Sequence, residues 1–146
     1  MLTEFAEHAG EYLRTVFGAP VDVESKTGRS DLVTAHDRLV EQDIRRRLEV
    51  FLPGVTVVGE EEGVSGGRGD LVCYVDPIDG TSNFASGVPF YSVSLALVCS
   101  GEIVAGVVHD PERAETFTAT GAGSWLNGRP ITATGAEHDD EALLIA

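Results

Sequence analysis

The chain has 146 residues, a length that suits one domain burying roughly 70% of the surface of the unfolded chain. Its 24 Asp and Glu residues outnumber the 10 Lys and Arg residues and give a net charge of −14. This argues against nucleic acid or an anionic membrane as partner, because binding to either needs basic patches. The N-terminus lacks the basic and apolar regions of a signal peptide, and no apolar stretch is long enough to span a bilayer.

The two cysteines, Cys73 and Cys99, both lie in apolar runs, a placement typical of buried thiols rather than of a disulfide framework. The four histidines are scattered, and neither residue type has the spacing of a zinc site. We therefore expect a protein of the reducing cytoplasm. We expect its negative charge to be mostly a solvated surface, with a clustered part that can form a cation site.

Two helices are predicted in the first third of the chain. Residues 2–17 place apolar side chains on one helical face, and Gly18 and Pro20 end that helix. A polar connector follows over residues 21–33. Thr34 is the predicted N-cap of the second helix, with Asp37 in a capping-box position three residues later. Apolar residues then recur at helical spacing until Pro53-Gly54, at Val40, Ile44, Leu48 and Phe51.

After residue 54 the pattern changes to short β-like runs separated by turn residues. The predicted strands are Val55–Val58, Leu71–Val75, Tyr91–Val98, Ile103–His109, Glu115–Thr120 and a strand near Trp125 that leads into a hairpin turn. Gly63–Gly69 is expected to be a mobile surface loop, and Glu141–Ala146 begins an apolar, strand-like run that indicates a longer protein. The predicted fold class is therefore α+β, with two N-terminal helices packed on a largely antiparallel sheet.

Three acidic groups have a plausible common location. Glu60 follows the strand Val55–Val58, Asp76 and Asp79 follow the strand Leu71–Val75, and Asp37 lies at the start of the second helix. If the two strands are neighbours, their ends bring Glu60 and Asp76 together. Packed carboxylates repel one another unless a cation is present. Such oxygen ligands, to which the Ile78 carbonyl could be added, favour Mg²⁺ or Mn²⁺ over Zn²⁺.

The residues after Asp79 suit a phosphate group. Gly80 permits close approach of the backbone to a ligand, and a helix that begins here would offer free N–H groups to an anion. The Thr81 hydroxyl can orient a water molecule, and Asp37 can accept a proton from that pair. Two metal ions about 4 Å apart would polarise the phosphate. The residues thus favour Mg²⁺-dependent hydrolysis of a phosphate ester.

Each feature taken alone has a simpler interpretation. Asp-Gly after a strand is most often a turn, a pair of glutamates is usually a solvated loop, and Thr34 with Asp37 makes a helix cap. His36 and His109 are expected to be structural or exposed rather than ligands. The spacing of the acids is not that of an EF-hand, and the chain has no Walker A lysine pattern.

Taken in order, these segments resemble the inositol monophosphatase family of Mg²⁺-dependent, lithium-sensitive phosphatases, over nearly the whole chain. The most specific element is the run Asp-Pro-Ile-Asp-Gly-Thr that begins at Asp76, together with the preceding Gly-Glu-Glu. The other segments that carry the resemblance are Lys26, Asp31–Asp37, Pro89-Phe90, Val93-Ser94, Gly106–Val108 and Gly121–Gly128.

The resemblance implies a role for each residue of the motifs. Mg²⁺ ligands would be Glu60, Asp76, the Ile78 carbonyl and Asp79, with Asp76 bridging two ions of roughly two or three in all. The catalytic residues would be Asp37, Thr81 and Glu60, with Thr81 and Asp37 activating the attacking water. The substrate phosphate would lie against Glu60, Ile78, Asp79 and the amides of Gly80 and Thr81, and Lys26 would lie at the edge of the metal site.

The resemblance also implies a layered α/β sandwich of the sugar and inositol phosphatase type, with the metal cleft between two parts. The C-terminal half of the family supplies a further metal-binding aspartate and most contacts to the alcohol, and we expect it to lie outside residues 1–146. Residues 1–146 are therefore predicted to be the N-terminal domain of such an enzyme. The expected substrate is a small phosphorylated alcohol, first an inositol monophosphate, with histidinol phosphate, fructose bisphosphate and nucleotide 3′-phosphate as alternatives.

Two further alternatives remain open for the chain itself. It could be a non-catalytic module that binds metal or phosphate. It could also be a domain that survives by self-association through an unpaired sheet edge. The resemblance separately suggests a homodimer, the arrangement of many family members.

Overall fold

A computed structural model describes the chain over residues 1–19, 23–25, 32–67 and 69–133. Lys26, Asp31 and the predicted strand-like run Glu141–Ala146 lie outside the described residues. The described helices are α1 (Leu2–Val16), α2 (Ala35–Phe51) and α3 (Thr81–Ala85). The described strands are β1 (Val23–Ser25), β2 (Leu32–Thr34), β3 (Thr56–Gly59), β4 (Gly63–Gly66), β5 (Leu71–Asp79), β6 (Ser92–Cys99), β7 (Glu102–Asp110), β8 (Glu115–Thr120), β9 (Gly123–Leu126) and β10 (Arg129–Ile131).

Both predicted N-terminal helices are present. α1 buries its apolar face, and it is followed by Gly18 with a φ of +77°, a left-handed conformation that suits glycine. The capping box of α2 forms as predicted, because the Thr34 backbone N–H and hydroxyl both donate to Asp37 Oδ2, at 2.8 and 2.6 Å. The start of α2 is therefore fixed by local hydrogen bonds as well as by packing.

The main sheet has eight strands in the order β10-β9-β8-β7-β6-β5-β3-β4. All neighbouring pairs are antiparallel except β3 and β5, which are parallel. The prediction of a largely antiparallel sheet is confirmed. The single parallel pair is the one on which the predicted site depends.

The strands differ from the prediction in three places. Gly63–Gly66, expected to be part of a loop, is the edge strand β4, because a three-residue turn after β3 lets the chain fold straight back along it. The polar connector contains β1 and β2, which pair with each other. β5 continues four residues beyond Val75, so both aspartates of the motif lie within a strand.

The helices cover one face of the sheet. α1 packs on β6, β7 and β8, and α2 packs on β5, so that inward side chains of alternating strand positions form one core. On the opposite face Tyr74 and Val108 remain 49% and 40% exposed. None of the described helices is both long and apolar enough to cross a membrane.

The two cysteines differ in solvent exposure. Cys73 is buried, as predicted, and burial raises the pKa of its thiol to about 11. The prediction that Cys99 is buried is wrong. Cys99 is the last residue of β6, next to the Ser100-Gly101 turn, and its side chain is exposed there.

Candidate active site

The parallel pairing of β3 and β5 brings two acidic segments to the same end of the sheet. Gly59 lies opposite Val75 in this pair, and the Glu60 backbone N–H donates to the Val75 carbonyl at 3.2 Å. Glu60 is the first residue of the turn between β3 and β4, and Asp76 is the next residue along β5. The expected meeting of Glu60 and Asp76 is thus a consequence of strand direction.

A β-bulge then places Asp76 and Asp79 on the same side of the sheet. In a regular strand residues three apart point to opposite faces. Here Asp76 lies opposite Ser94 and Asp79 opposite Ser92, and the register shifts between them. The chain advances three residues along β5 while it advances two along β6. The bulge therefore absorbs one residue of β5, and both aspartates face the same side of the sheet. Pro77 lies within the bulge, where a residue without a backbone N–H costs no ladder hydrogen bond.

Asp76 is the electrostatic centre of the cluster. Burial and the charges of Glu60 and Asp79 raise its pKa to about 7, and a hydrogen bond with Glu60 and the charge of Asp37 act in the same direction. Within the described part of the chain, Asp76 Oδ1 is the one buried side-chain oxygen or nitrogen that lacks a hydrogen-bond partner. A buried carboxylate oxygen without a donor, among further carboxylates, is a position that a cation would stabilise.

Asp37 joins the helix layer to this strand end. Its side chain is 1% exposed. While Oδ2 caps α2, Oδ1 accepts a hydrogen bond from the Thr81 hydroxyl at 3.0 Å. The same hydroxyl lies 2.9 Å from the Ile78 carbonyl, and since it has a single proton, these two acceptors compete for it. Asp37 is therefore both the cap of α2 and the acceptor of the Thr81 hydroxyl. The two interpretations of this residue, as a helix cap and as a functional partner of Thr81, apply together.

The turn after Asp79 depends on Gly80. Its φ of +95° lies in the left-handed region, and a Cβ there would lie 3.1 Å from the Phe90 carbonyl oxygen. That oxygen accepts a hydrogen bond from the Asn83 side chain at 2.8 Å. The short helix α3 begins at Thr81, and the Gly80 carbonyl accepts from the backbone N–H groups of Asn83 and Phe84. The backbone between Asp79 and Thr81 is thereby held in one conformation.

The donors at this strand end suit a hard divalent cation. Carboxylates and a backbone carbonyl are the ligands of Mg²⁺, and no thiol or imidazole is among them. In the described residues no three His, Cys, Asp or Glu side chains converge closely enough to surround one ion. Glu60 contacts Asp76 directly, while Asp79 acts on it through its charge.

Two open clefts flank the cluster, each of about 350 Å³. One is lined by Glu60, Asp76 and Ser94 together with neighbouring residues of β3 and β5. The other begins at Asp79 and Gly80 and continues over β6 to β8. The acidic cluster is therefore accessible to a small molecule from both sides.

The structure brings the predicted site residues to one end of the sheet. These are Asp37, Glu60, Asp76, Ile78, Asp79, Gly80 and Thr81. Sequence reasoning missed Glu41 and Arg45, which support the turn that carries Glu60 and are described below. Glu41 lies one helical turn after Asp37, but its position in the sequence gives no signal for its partners in the turn.

The chain belongs to the inositol monophosphatase family, whose sequence model matches residues 1–146. It is 42% identical over 123 residues to a fructose-1,6-bisphosphatase/inositol-1-monophosphatase of Thermotoga maritima, an alignment that covers 84% of this chain and 47% of that protein. The family resemblance expected from the motifs is therefore confirmed.

Solved structures support the same family assignment. The extragenic suppressor protein suhB of Bartonella henselae superimposes with a TM-score of 0.87 at 36% identity, covering 92% of this chain and 54% of the other. An IMPase/NADP phosphatase complexed with Mg²⁺ and phosphate gives a TM-score of 0.74 at 25% identity, covering 84% of this chain and 48% of the other. The chain thus spans about half the length of the relatives it matches.

Proposed function

We propose that the strand end around Asp76 is the phosphate- and metal-binding site of a Mg²⁺-dependent phosphomonoesterase. The observation that carries this proposal is the buried, unpartnered Oδ1 of Asp76 beside Glu60 and Asp79. Like charges gathered at this strand end repel one another and give the fold no benefit. A bound cation would offset that repulsion.

The ion ligands in this proposal are Glu60, Asp76, Asp79 and the Ile78 carbonyl, and the amides of Gly80 and Thr81 receive the phosphate. Bound Mg²⁺ would supply polarisation of the phosphate and a lower pKa for water, and Mn²⁺ is the alternative ion. The number of ions, roughly two or three, belongs to the proposal.

Thr81 and Asp37 manage the proton of the attacking water. Thr81 donates its hydroxyl proton to Asp37 Oδ1, which leaves the lone pairs of Oγ1 to accept a hydrogen bond from water. As the water oxygen attacks phosphorus, the water proton passes towards Thr81 and Asp37. The bond to the alcohol oxygen breaks, and that oxygen takes up a proton from solvent. The products are inorganic phosphate and an alcohol.

The proposed substrate is a small phosphorylated alcohol. The name of the Thermotoga relative contains both an inositol monophosphate and fructose 1,6-bisphosphate activity, which supports these two as the first compounds to test, with histidinol phosphate and a nucleotide 3′-phosphate after them. A cytoplasmic location and a homodimer remain predictions of the same proposal.

The decisive experiment combines Mg²⁺ binding by calorimetry with phosphate release from these compounds. The Asp76→Asn variant removes one charge without changing size. We expect it to lower Mg²⁺ affinity and to reduce any turnover by about two orders of magnitude, because metal ions contribute several kcal/mol to such reactions. Glu102→Gln makes the same charge change at an exposed position at the far end of the sheet, and it should leave both measurements unchanged.

The outcomes separate the alternatives. Mg²⁺ binding that is lost in Asp76→Asn, together with phosphate release, supports the proposal. Mg²⁺ binding without release from any compound favours the non-catalytic module. Equal Mg²⁺ affinity in Asp76→Asn and the unsubstituted protein contradicts the proposed metal site.

A further inference from the structure

A second buried acid, Glu41, follows Asp37 by one turn of α2 and has no part in the reaction proposed above. Its side chain is 0% exposed. Oε2 accepts a hydrogen bond from the Glu61 backbone N–H at 2.7 Å, and Oε1 accepts one from the Glu62 backbone N–H at 3.1 Å. A carboxylate that receives two consecutive backbone amides fixes the path of the turn between β3 and β4.

Arg45 compensates the charge of Glu41. Its Nε and Nη2 lie 2.9 and 2.7 Å from Glu41 Oε1. Arg45 also donates to the Gly63 carbonyl at 2.6 Å and to the Ser65 hydroxyl, both in β4. A buried charge is tolerated when it is paired and hydrogen-bonded. The Glu41–Arg45 pair therefore attaches α2 to the turn and to the strand that follows it.

Gly59 shows how closely the pair approaches the strand before the turn. A Cβ at Gly59 would lie 2.1 Å from Glu41 Oε1 and 2.6 Å from Arg45 Nη2. Glycine is needed here for close approach rather than for an unusual backbone conformation. Together, the contacts at Gly59, Glu61 and Glu62 enclose Glu60 on both sides along the chain.

We propose that Glu41 is a positioning residue that holds the β3–β4 turn so that the Glu60 carboxylate faces Asp76. The inference rests on the proposed function, because Glu60 matters only if the acidic cluster binds an ion. Glu41 acts through the backbone of the turn. Groups that orient metal ligands in this way typically change metal affinity by 10- to 100-fold when they are replaced.

The test is Glu41→Gln, with Mg²⁺ alone as the probe. Glutamine keeps the shape but replaces one acceptor oxygen with an NH₂ group, which must then face a backbone N–H or Arg45. We expect the Mg²⁺ dissociation constant to rise roughly 10- to 100-fold. We expect amide hydrogen exchange at Glu61 and Glu62 to become about tenfold faster or more, without any metal present.

Glu49→Gln is the matched control, since it removes the same charge from the same helix at an exposed position. It should change neither the dissociation constant nor the exchange rates. If Glu41→Gln accelerates exchange but binds Mg²⁺ as tightly as the unsubstituted protein, the positioning role is wrong while the proposed function stands. If the unsubstituted protein does not bind Mg²⁺, both proposals are overturned.

Two further measurements keep the inference testable if Glu41→Gln does not fold. In the unsubstituted protein, exchange of the Glu61 and Glu62 amides at the rate of freely exposed amides would overturn it. Gly59→Ala displaces the Glu41 carboxylate from the other side and should also weaken Mg²⁺ binding. Gly106→Ala, in β7 with nothing within 4 Å of the added Cβ, is its control and should have no effect. Unchanged Mg²⁺ affinity in Gly59→Ala would count against the proposal.

Discussion

At the scale of single residues, Asp37 shows how one carboxylate satisfies a local and a long-range requirement. One oxygen completes the capping box of α2, and the other accepts the hydroxyl of Thr81, 44 positions later in the chain. The spacing of the sequence predicted the cap, and the residues after Asp79 together with the family resemblance predicted the pair with Thr81. Neither predicted that both uses would occur together, because side-chain spacing does not say which oxygen is left over after capping.

The Thr81 hydroxyl provides the first prediction at this scale. Thr81→Ala removes the donor to Asp37 Oδ1, and a buried acceptor left without its partner costs about 1–3 kcal/mol. We expect a loss of unfolding free energy in that range, measured by urea denaturation, and a fall of about 10²- to 10⁴-fold in any phosphate release. Thr81→Ser retains the hydroxyl and is the control. A Ser variant that loses as much as the Ala variant would show that the methyl group, not the hydroxyl, is responsible.

The buried acid Glu41 marks a limit of prediction from residues. It lies in a segment with strong helical periodicity, where an acidic residue next to Val40 reads as a solvated position. Its partners are backbone amides of a turn 20 positions away. Because any residue type can supply a backbone amide, the sequence of the turn contains no signal for this contact.

At the scale of secondary-structure elements, the turn between β5 and α3 gives the next prediction. Gly80→Ala introduces strain at a φ of +95° and places the new methyl group 3.1 Å from the Phe90 carbonyl oxygen. Gly101→Ala introduces similar strain at a φ of +84° but meets nothing within 4 Å. Left-handed strain alone costs about 1–2 kcal/mol, and crowding should add about 1 kcal/mol or more to the Gly80 variant.

Chemical denaturation of the two glycine variants measures this difference. Equal losses of unfolding free energy would mean that the Phe90 segment moves aside at no cost and that the turn is not held by it. A larger loss in Gly80→Ala would identify the Phe90 backbone as one wall of the turn.

Helices and long strands followed from the sequence, because hydrophobic periodicity is a local property. The edge strand β4 did not, since Gly-Val-Ser-Gly has neither an alternating pattern nor a strong strand propensity. It forms because β3 offers an unpaired edge and the turn at Glu60–Glu62 directs the chain back along it. The extension of β5 past Val75 was missed for a related reason, as the bulge that makes it possible depends on the neighbouring strand β6.

At the scale of the whole molecule, His109 links the helix layer to the sheet and gives a pH prediction. His109 is 7% exposed, and its Nδ1 lies 2.9 Å from the Thr116 hydroxyl, which donates to Glu7 of α1. Burial lowers the pKa of His109, although the charges of Glu7, Asp110 and Glu11 oppose the shift. The folded protein therefore binds this proton less readily than the unfolded chain does.

The sign follows from linkage. The unfolded histidine has a pKa near 6.5, so the contribution of His109 to stability is fully present above about pH 6.5 and decreases as the pH falls below it. The slope from one group cannot exceed about 1.4 kcal/mol per pH unit. Asp76, whose pKa is raised to about 7, acts in the opposite direction, because stability from that group decreases as the pH rises through this range. The pH dependence of the unfolding free energy of the unsubstituted protein alone therefore does not separate the effect of His109 from that of Asp76.

The measurement is the difference between His109→Gln and the unsubstituted protein in urea denaturation from about pH 5.5 to 7.5, without metal ions. The unsubstituted protein should lose stability relative to the variant as the pH falls. A His109 variant that runs parallel to the unsubstituted protein would show that this histidine does not titrate below its ordinary range.

The fold class was predictable because two apolar helices followed by short strands permit few layered arrangements. The position of the acidic cluster was predictable only conditionally, since it required β3 and β5 to be parallel neighbours. The coverage of about half of each relative agrees with the expectation that the motifs belong to the N-terminal portion of the family.

The bulge in β5 ties the direction of the two aspartates to the pairing of the strand rather than to the side chains between them. If the Asp76–Asp79 segment kept its length but paired with β6 in regular alternation, Asp79 would face the helix layer, even with every side chain kept. If one residue between the aspartates were removed, they would be two positions apart and would share a face without any bulge. Variants of this protein should therefore change the residues between the two aspartates, or lose one of them, more readily than they lose the bulge at the present spacing.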